Sequence, residues 1–249
     1  MPAIDLNCDM GEGMDNDALI MPYISSANIA CGYHAGDEKT MKRTVELCLK
    51  HNVAVGAHPS YPDRENFGRT DLIDQTLRPE DLPSIIIDQI NQLRKICYEF
   101  GARLHHVKPH GALYNRAAWD GTVSSFICTA IQEAGTPLIL YGLSGSEMKR
   151  EADAYNIKFA SEVFADRTYQ DDGRLTPRSH PNALIEDADK AIQQVWQMIN
   201  EGTVTSVSGR KIPIVAETIC IHGDGKYAAQ LAKDIFETLK QNKIDIKAS

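Results

Sequence analysis

The chain has 249 residues, 43% of them hydrophobic and 24% charged, with 26 Lys plus Arg against 34 Asp plus Glu and a formal net charge of −8. That is ordinary globular composition, long enough for one large α/β domain or two small ones. An acidic chain without a basic block argues against nucleic acid as the main partner, although a locally basic pocket can still take a small anion, and no apolar run approaches the roughly 18 residues of a membrane span.

Strand and helix signals alternate from the N-terminus onward. Ile4 to Met10 reads as a first strand in which Asp5, Asn7 and Asp9 share one face and Ile4, Leu6, Cys8 and Met10 the other. A polar inner row beside an apolar outer row suits a barrel whose interior is a reaction site; the plain alternative is an edge strand with one wet face. Glu12 follows between Gly11 and Gly13. Asp15 to Met21 predicts a short helix, and Ala27 to Cys31 a second strand. Asp37 reads as the N-cap of a helix that buries Met41, Val45, Cys48 and Leu49. Val53 to Ala57 is a third strand that delivers His58 into a long loop, reaching about Leu77.

Pro79 opens the next helical segment, with Ile86, Ile90, Leu93, Cys97 and Phe100 on one face and Gly101 as its stop. Leu104 to Lys108 predicts a fourth strand. A helix with Val123, Phe126, Ile127, Ala130, Ile131 and Ala134 follows, then strands over Pro137–Tyr141 and Ile157–Val163. A polar loop, Asp166 to Pro181, precedes a helix with Ile192, Val195, Trp196 and Ile199 that stops at Gly202. Thr203 to Ser208 reads as a short strand or hairpin arm, Ile214 to Ile221 as the last strand, and Lys226 to about Asn242 as the final helix with Ala229, Ala232, Ile235 and Leu239 inward. No linker or repeat interrupts this order, so residues 1–249 read as one domain. Six cysteines without a CxxC pair, three of them on helical apolar faces, predict reduced, buried thiols in a cytoplasmic protein. The N-terminus has neither the basic region nor the apolar core of a signal peptide.

Alternating strands and helices imply a parallel sheet, open or closed. The placement of ionisable residues favours closure. Asp9, His34, His58, Lys108, His110, Glu162, His222 and Asp224 all sit at or just past a strand end, where barrel enzymes build their sites. An open sheet would concentrate them at one switch point, and no dinucleotide fingerprint is present.

Several segments carry chemistry. CGYHAGD sets His34 just ahead of a helix, as a base, a metal ligand, a donor to a phosphoryl oxygen or a plain loop cap. GAHPSYPD with FGR offers His58 and Arg69, the latter a fork for a carboxylate or phosphate. HHVKPHGALYN puts His106 and Lys108 on one strand face, and an inward lysine requires a counter-charge from Asp5, Asp9 or Glu162; such a pair is either structural or functional. SEVFADR brings Glu162, Asp166 and Arg167, with Arg178 further on. CIHGDG resembles a phosphate-binding turn through His222 and Asp224, but neither GxxxxGK[ST] nor GxGxxG occurs. HExxH and cysteine-based zinc spacings are absent. No metal is therefore expected; were one bound, its ligands would come from Asp9, His34, His58 and His110.

Together DLNCDMGEG, NIACGYHAGD, GAHPSYPD with FGR, VKPHGALYN, SEVFADRTYQDDGRLTPR and CIHGD resemble the LamB/YcsF family, the A subunits of bacterial 5-oxoprolinases. The likeness runs from about Asp5 to Asp224. Departures are Tyr33 for Phe, Glu38 for Pro, and Thr70 for a second arginine, of which only the last removes an anion contact. The resemblance implies a single-domain (β/α)7 TIM-like barrel of the glycoside hydrolase/deacetylase-like kind. It also implies an ATP-dependent amidohydrolase, with Mg²⁺ as the counter-ion of ATP, that opens the lactam 5-oxoproline (pyroglutamate) to L-glutamate with partner subunits B and C.

On that reading Asp9 or His34 is the base, Lys108 stabilises charge, and His110 and His222 relay protons beside Glu162. Arg69 or Arg167 holds the substrate carboxylate. Asp5, Asn7, Glu12, His58, Asp166 and Asp224 complete the substrate and phosphate contacts. Two rival readings remain: a metal-dependent deacetylase or amide hydrolase acting alone, and a non-catalytic subunit that presents a carboxylated ligand. Homo-oligomerisation is left open, and neither nucleic acid nor membrane is expected as a partner.

Overall fold

The computed structural model describes residues 3–73, 75–223 and 227–249. Its centre is a closed barrel of parallel strands: β1 (Ala3–Met10), β2 (Ser26–Ala30), β3 (Ala54–His58), β4 (Leu104–Val107), β5 (Ile139–Leu143), β6 (Phe159–Phe164) and β9 (Thr218–Ile221). Each pairs with the next, and β9 pairs back with β1, Asp5 beside Thr218 and Cys8 beside Ile221. Seven strands therefore close the barrel. A two-stranded antiparallel hairpin, β7 (Thr203–Thr205) with β8 (Lys211–Pro213), stands apart from it.

A single turn of helix, α1 (Asp17–Ile20), follows β1. The longer helices α2 (Glu38–His51), α3 (Leu82–Glu99), α5 (Gly121–Glu133), α7 (Ala188–Glu201) and α8 (Ala228–Gln241) follow from amphipathic stripes. α2 buries Met41, Val45 and Cys48, α3 Ile86, Ile90, Leu93 and Cys97, and α8 Ala232, Ile235 and Leu239. Asp37, Asp120 and Asp187 cap the N-termini of α2, α5 and α7 by accepting main-chain N–H groups. α7 ends at Gly202, in the left-handed conformation. All six cysteines are free and buried. Among the described residues no helix is long and apolar enough to cross a membrane.

The structure corrects several element boundaries. Leu49, expected in the core, is 43% exposed, because it lies one helical step around from Cys48 on α2. Phe100 is only half-buried, at the C-cap of α3. The segment after β4 forms two helices, α4 (Gly111–Ala117) and α5, broken where Asp120 caps the second. β5 starts at Ile139 and runs to Leu143, and α6 (Glu147–Ala154) was not foreseen. The last barrel strand begins at Thr218 rather than Ile214, since Lys211–Pro213 goes to the hairpin. A final pair of residues, β10 (Asp245–Ile246), adds to the start of β1.

The barrel interior is polar. Asn7 Nδ2 donates to Glu162 Oε1 at 2.9 Å and to Thr218 Oγ1 at 2.7 Å, and Thr218 donates to Asp5 Oδ2 at 2.7 Å. Asn28 Nδ2 reaches Asn7 Oδ1 and Asp9 Oδ1, both at 2.8 Å, while His106 Nε2–H donates to Asn28 Oδ1 at 2.7 Å. This network occupies the place where such barrels ordinarily stack aliphatic side chains. Gly56 makes room for it: a Cβ there would lie 2.0 Å from His106 Nε2.

Candidate active site

The C-terminal ends of the strands open into a cavity of about 370 Å³ lined by Asp9, Glu12, His58, Lys108, His110 and His222, among others. Asp9 ends the inward row of β1, and Lys108 follows β4 directly. Lys108 is 2% exposed and joins two carboxylates, Asp9 Oδ1 at 2.8 Å and Glu162 Oε1 at 2.9 Å. Burial alone would lower the lysine and raise Asp9. Their mutual attraction, with His58 beside Asp9, outweighs it, so the ammonium is held well above and the Asp9 carboxyl well below its usual range. Asn7 Oδ1 and Cys220 Sγ complete the ammonium's surroundings at 3.3 and 3.1 Å.

A second group stands beside this pair. His58 Nε2 lies 3.3 Å from Asp9 Oδ2, and His110 Nδ1 lies 2.9 Å from His58 Nε2 and 3.2 Å from Glu12 Oε1. His34 Nε2 is 3.0 Å from Glu12 Oε1, and its ring stacks on His110 with centroids 3.8 Å apart. Burial pushes the His34 imidazole down to about 4, so the ring is neutral at pH 7. Burial also lowers His110, whereas the Asp9 charge raises His58 against its own burial. Burial would raise Glu12, but its polar contacts with His110 and His34 prevail and lower it.

The third element is His222, which follows β9. Asp166 accepts its Nδ1–H at 2.8 Å and its main-chain N–H at 3.1 Å. Those bonds fix the ring and leave Nε2 as the basic nitrogen. The Asp166 carboxyl stays low, because His222 outweighs the burial that would raise it.

The expected residues thus fall into distinct places. Asp9, Glu12, His58, Arg69, Lys108, His110, Arg167 and His222 all line the cavity. His34, Asn7 and Glu162 lie buried behind that wall, bonded to Glu12, to Asn28 and to Lys108 respectively. Asp5 does not join them. It sits at the other end of β1, taken up by Ser25, Ser26 and Thr218, because the inward row runs the length of the strand while the cavity is at one end. Arg167 is spoken for as well: its guanidinium donates to the carbonyls of Thr176 and Ala183 and pins the loop after β6. Arg69 stacks 5.0 Å over the Phe67 ring. Thr70, at the position of the missing arginine, donates its main-chain N–H to Asp63. Asp224 lies outside the described residues.

Two contributors escaped the sequence reading. Asn28 links Asp9, Asn7 and His106, and the only signal was a lone polar residue between Ala27 and Ile29 in a strand. The other is the main-chain carbonyl of Phe67, which accepts from His110 Nε2 at 2.9 Å. A backbone contact leaves no trace in side-chain pattern.

Glu12, His34, His58 and His110 place ligand atoms within 4.8 Å of one another, as do Asp9, Cys220 and His222. Glu12 thus stands in the first group where Asp9 was anticipated beside His34, His58 and His110, and Asp9 falls in the second. For a nucleotide the fit is poor. Two ionised groups of the wall, Asp9 and Glu12, would repel a triphosphate, and neither GxxxxGK[ST] nor GxGxxG occurs in the sequence.

Fold and site define a seven-stranded parallel barrel with a concentrated set of ionisable groups at the carboxyl ends of its strands. The chain belongs to the LamB/YcsF family, whose model matches residues 4–249. It is 47% identical over 253 residues to the A subunit of 5-oxoprolinase from Bordetella parapertussis, an alignment covering 100% of this chain and 99% of that protein. In three dimensions it is similar to a lactam utilization protein from Thermus thermophilus, with a TM-score of 0.91, 36% identity, and 99% and 100% of the two chains covered. A mutant of the peptidoglycan deacetylase PdaC from Bacillus subtilis shares the fold alone, at a TM-score of 0.50 and 13% identity over 99% and 88% of the chains.

Proposed function

We propose that this chain binds 5-oxoproline and opens its ring to L-glutamate, as the A component of an ATP-coupled hydrolase completed by two other subunits. The observation that carries the reading is the cavity: a small chamber that combines ionised carboxylates, a buried ammonium and an Asp-oriented histidine at its wall. That combination suits hydrolysis of a small, unreactive amide. The relatives add weight, one being named as the A subunit of a 5-oxoprolinase and another as a lactam utilization protein.

A five-membered lactam resists water, and coupling to ATP supplies the drive. Because a nucleotide fits this cavity poorly, we assign it to the partner subunits. The residues of this chain act on the lactam. His222 takes a proton from water as the water's oxygen attacks the ring carbonyl carbon, and Asp166 stabilises the imidazolium that forms. The same imidazolium then gives its proton to the ring nitrogen as the carbon–nitrogen bond breaks, which leaves the amine and carboxyl groups of glutamate. Lys108 supplies positive charge beside the developing oxyanion. Arg69 takes the substrate carboxylate in a two-point contact. Asp9 is too acidic to be the base and His34 is not on the cavity wall, so we give the base role to His222.

Glutamate formation from 5-oxoproline tests this directly. The chain is assayed alone, with ATP and Mg²⁺, and with both partner subunits added. Glutamate that requires ATP and all three components supports the reading. A folded chain that yields none in any combination refutes it.

A further inference from the structure

We propose that Asp9, Glu12, His58 and His110 form a mononuclear site for a divalent transition-metal ion in the wall of the cavity. The positions of the imidazole protons lead to it. The main-chain carbonyl of Lys108 can only accept, so His58 donates its Nδ1–H to it at 2.7 Å. The carbonyl of Phe67 likewise takes the Nε2–H of His110 at 2.9 Å. In the neutral rings, His58 Nε2 and His110 Nδ1 therefore both present lone pairs, and they face each other at 2.9 Å. Two lone pairs at that distance repel unless a positive charge, a proton or a metal ion, lies beside them.

The spacing fits an ion. Tetrahedral bonds of about 2.0–2.1 Å set ligand atoms about 3.3–3.4 Å apart. His58 lies 2.9 Å from His110, 3.3 Å from Asp9 and 3.7 Å from Glu12, and His110 lies 3.2 Å from Glu12. All four are largely withdrawn from water and all four line the cavity, so a bound ion would keep one face toward a ligand there.

Each donor also has a partner that aims it. Asp9 uses Oδ1 for Lys108 and Asn28, both at 2.8 Å, and turns Oδ2 to His58. Glu12 is held by His34, and both imidazoles by the carbonyls named above. Ligands oriented by such outer partners are the usual construction of metal centres. Backbone geometry serves the same end. Phe67 takes φ +57° and Gly68 φ +65°, and a Cβ on Gly68 would come 2.2 Å from Ser60 Oγ and 2.9 Å from His110 Cδ2. The turn that presents the Phe67 carbonyl to His110 therefore admits only glycine at position 68. Two imidazoles with two carboxylates suit zinc, cobalt, manganese or iron better than magnesium or calcium.

The test is independent of lactam chemistry. The full chain is stripped with a chelator, loaded with Co²⁺, and followed by its visible ligand-field bands, by metal content, and by nitrogen couplings in pulsed electron paramagnetic resonance. One ion per chain with two coordinated imidazoles is expected. His110→Ala and Glu12→Gln should each weaken Co²⁺ binding at least tenfold, and His34→Gln, which removes only an outer partner, should weaken it by about 10- to 100-fold. Absence of bound Co²⁺ at millimolar excess, or an ion without imidazole nitrogens, overturns the proposal. Binding that survives His110→Ala and Glu12→Gln unchanged overturns it as well. Should those variants fail to fold, the imidazole count on the unaltered chain decides.

Discussion

Lys108→Met is the most informative single change. It keeps the unbranched chain out to Cε and removes the ammonium that joins Asp9 at 2.8 Å and Glu162 at 2.9 Å. Two buried carboxylates are then left facing a hole in the charge pattern. Breaking a buried pair on one side costs about 3–5 kcal/mol. For a domain of this size, a loss of 1 kcal/mol lowers Tm by about 2–4 °C, so the fall should be about 6–20 °C. The sign of the pH dependence is set by both partners. Asp9 is depressed, so its contribution is present above the unfolded carboxyl value and is lost as pH falls through the folded one. Lys108 is raised, so its contribution is present below the unfolded lysine value and is lost as pH rises through the folded one. The destabilisation should therefore be greatest on the neutral plateau between them. Thermal and urea denaturation of the variant, and of the double variant with Glu162→Gln, measure it; the second change should restore part of the loss. A Lys108→Met chain within about 1 kcal/mol of the unaltered one at pH 7 would refute the reading that this buried ammonium and its two carboxylates hold one another in place.

Other expectations follow the same logic. Gly56→Ala sets a Cβ 2.0 Å from His106 Nε2, so His106 must leave Asn28; a loss of about 1–3 kcal/mol or more is expected in urea denaturation. His34, brought down to about 4 by burial, binds its proton less readily when folded. Stability should therefore drop by roughly 3 kcal/mol as pH falls from about 6.5 to 4, and a urea titration across pH should show that slope flattened in His34→Gln. Asp187→Ala removes the side-chain oxygen that accepts Lys190 N–H at the start of α7, which should lower stability by about 1 kcal/mol and leave ligand binding unchanged.

Much of the barrel could be read from the sequence because strands with one polar and one apolar face keep a strict period. Asp5, Asn7 and Asp9 alternate with Leu6, Cys8 and Met10, and all six are buried, three toward the interior network and three in the apolar core around it. The helix stripes were equally plain where they were wide. α6 escaped because only Met148 and Ala152 are buried among charged neighbours, too narrow a stripe to stand out. β10 escaped because two residues hold no period. The site was legible as a set of strand-end residues but not as a geometry. Glu12, His34, His58 and His110 come from the ends of four separate strands and the turns that follow them, and meet only when the barrel closes. No spacing along the chain encodes that meeting, and nothing in the inward row said that Asp5 would end up away from the cavity.

The central claim is that the cavity at the strand ends opens a lactam through His222. The direct measurement is single-turnover release of glutamate from labelled 5-oxoproline by the assembled hydrolase, comparing the unaltered chain with His222→Asn. A rate lowered by about 10²–10⁴-fold is predicted, with binding of 5-oxoproline retained. An unchanged rate in a folded His222→Asn enzyme would contradict the claim.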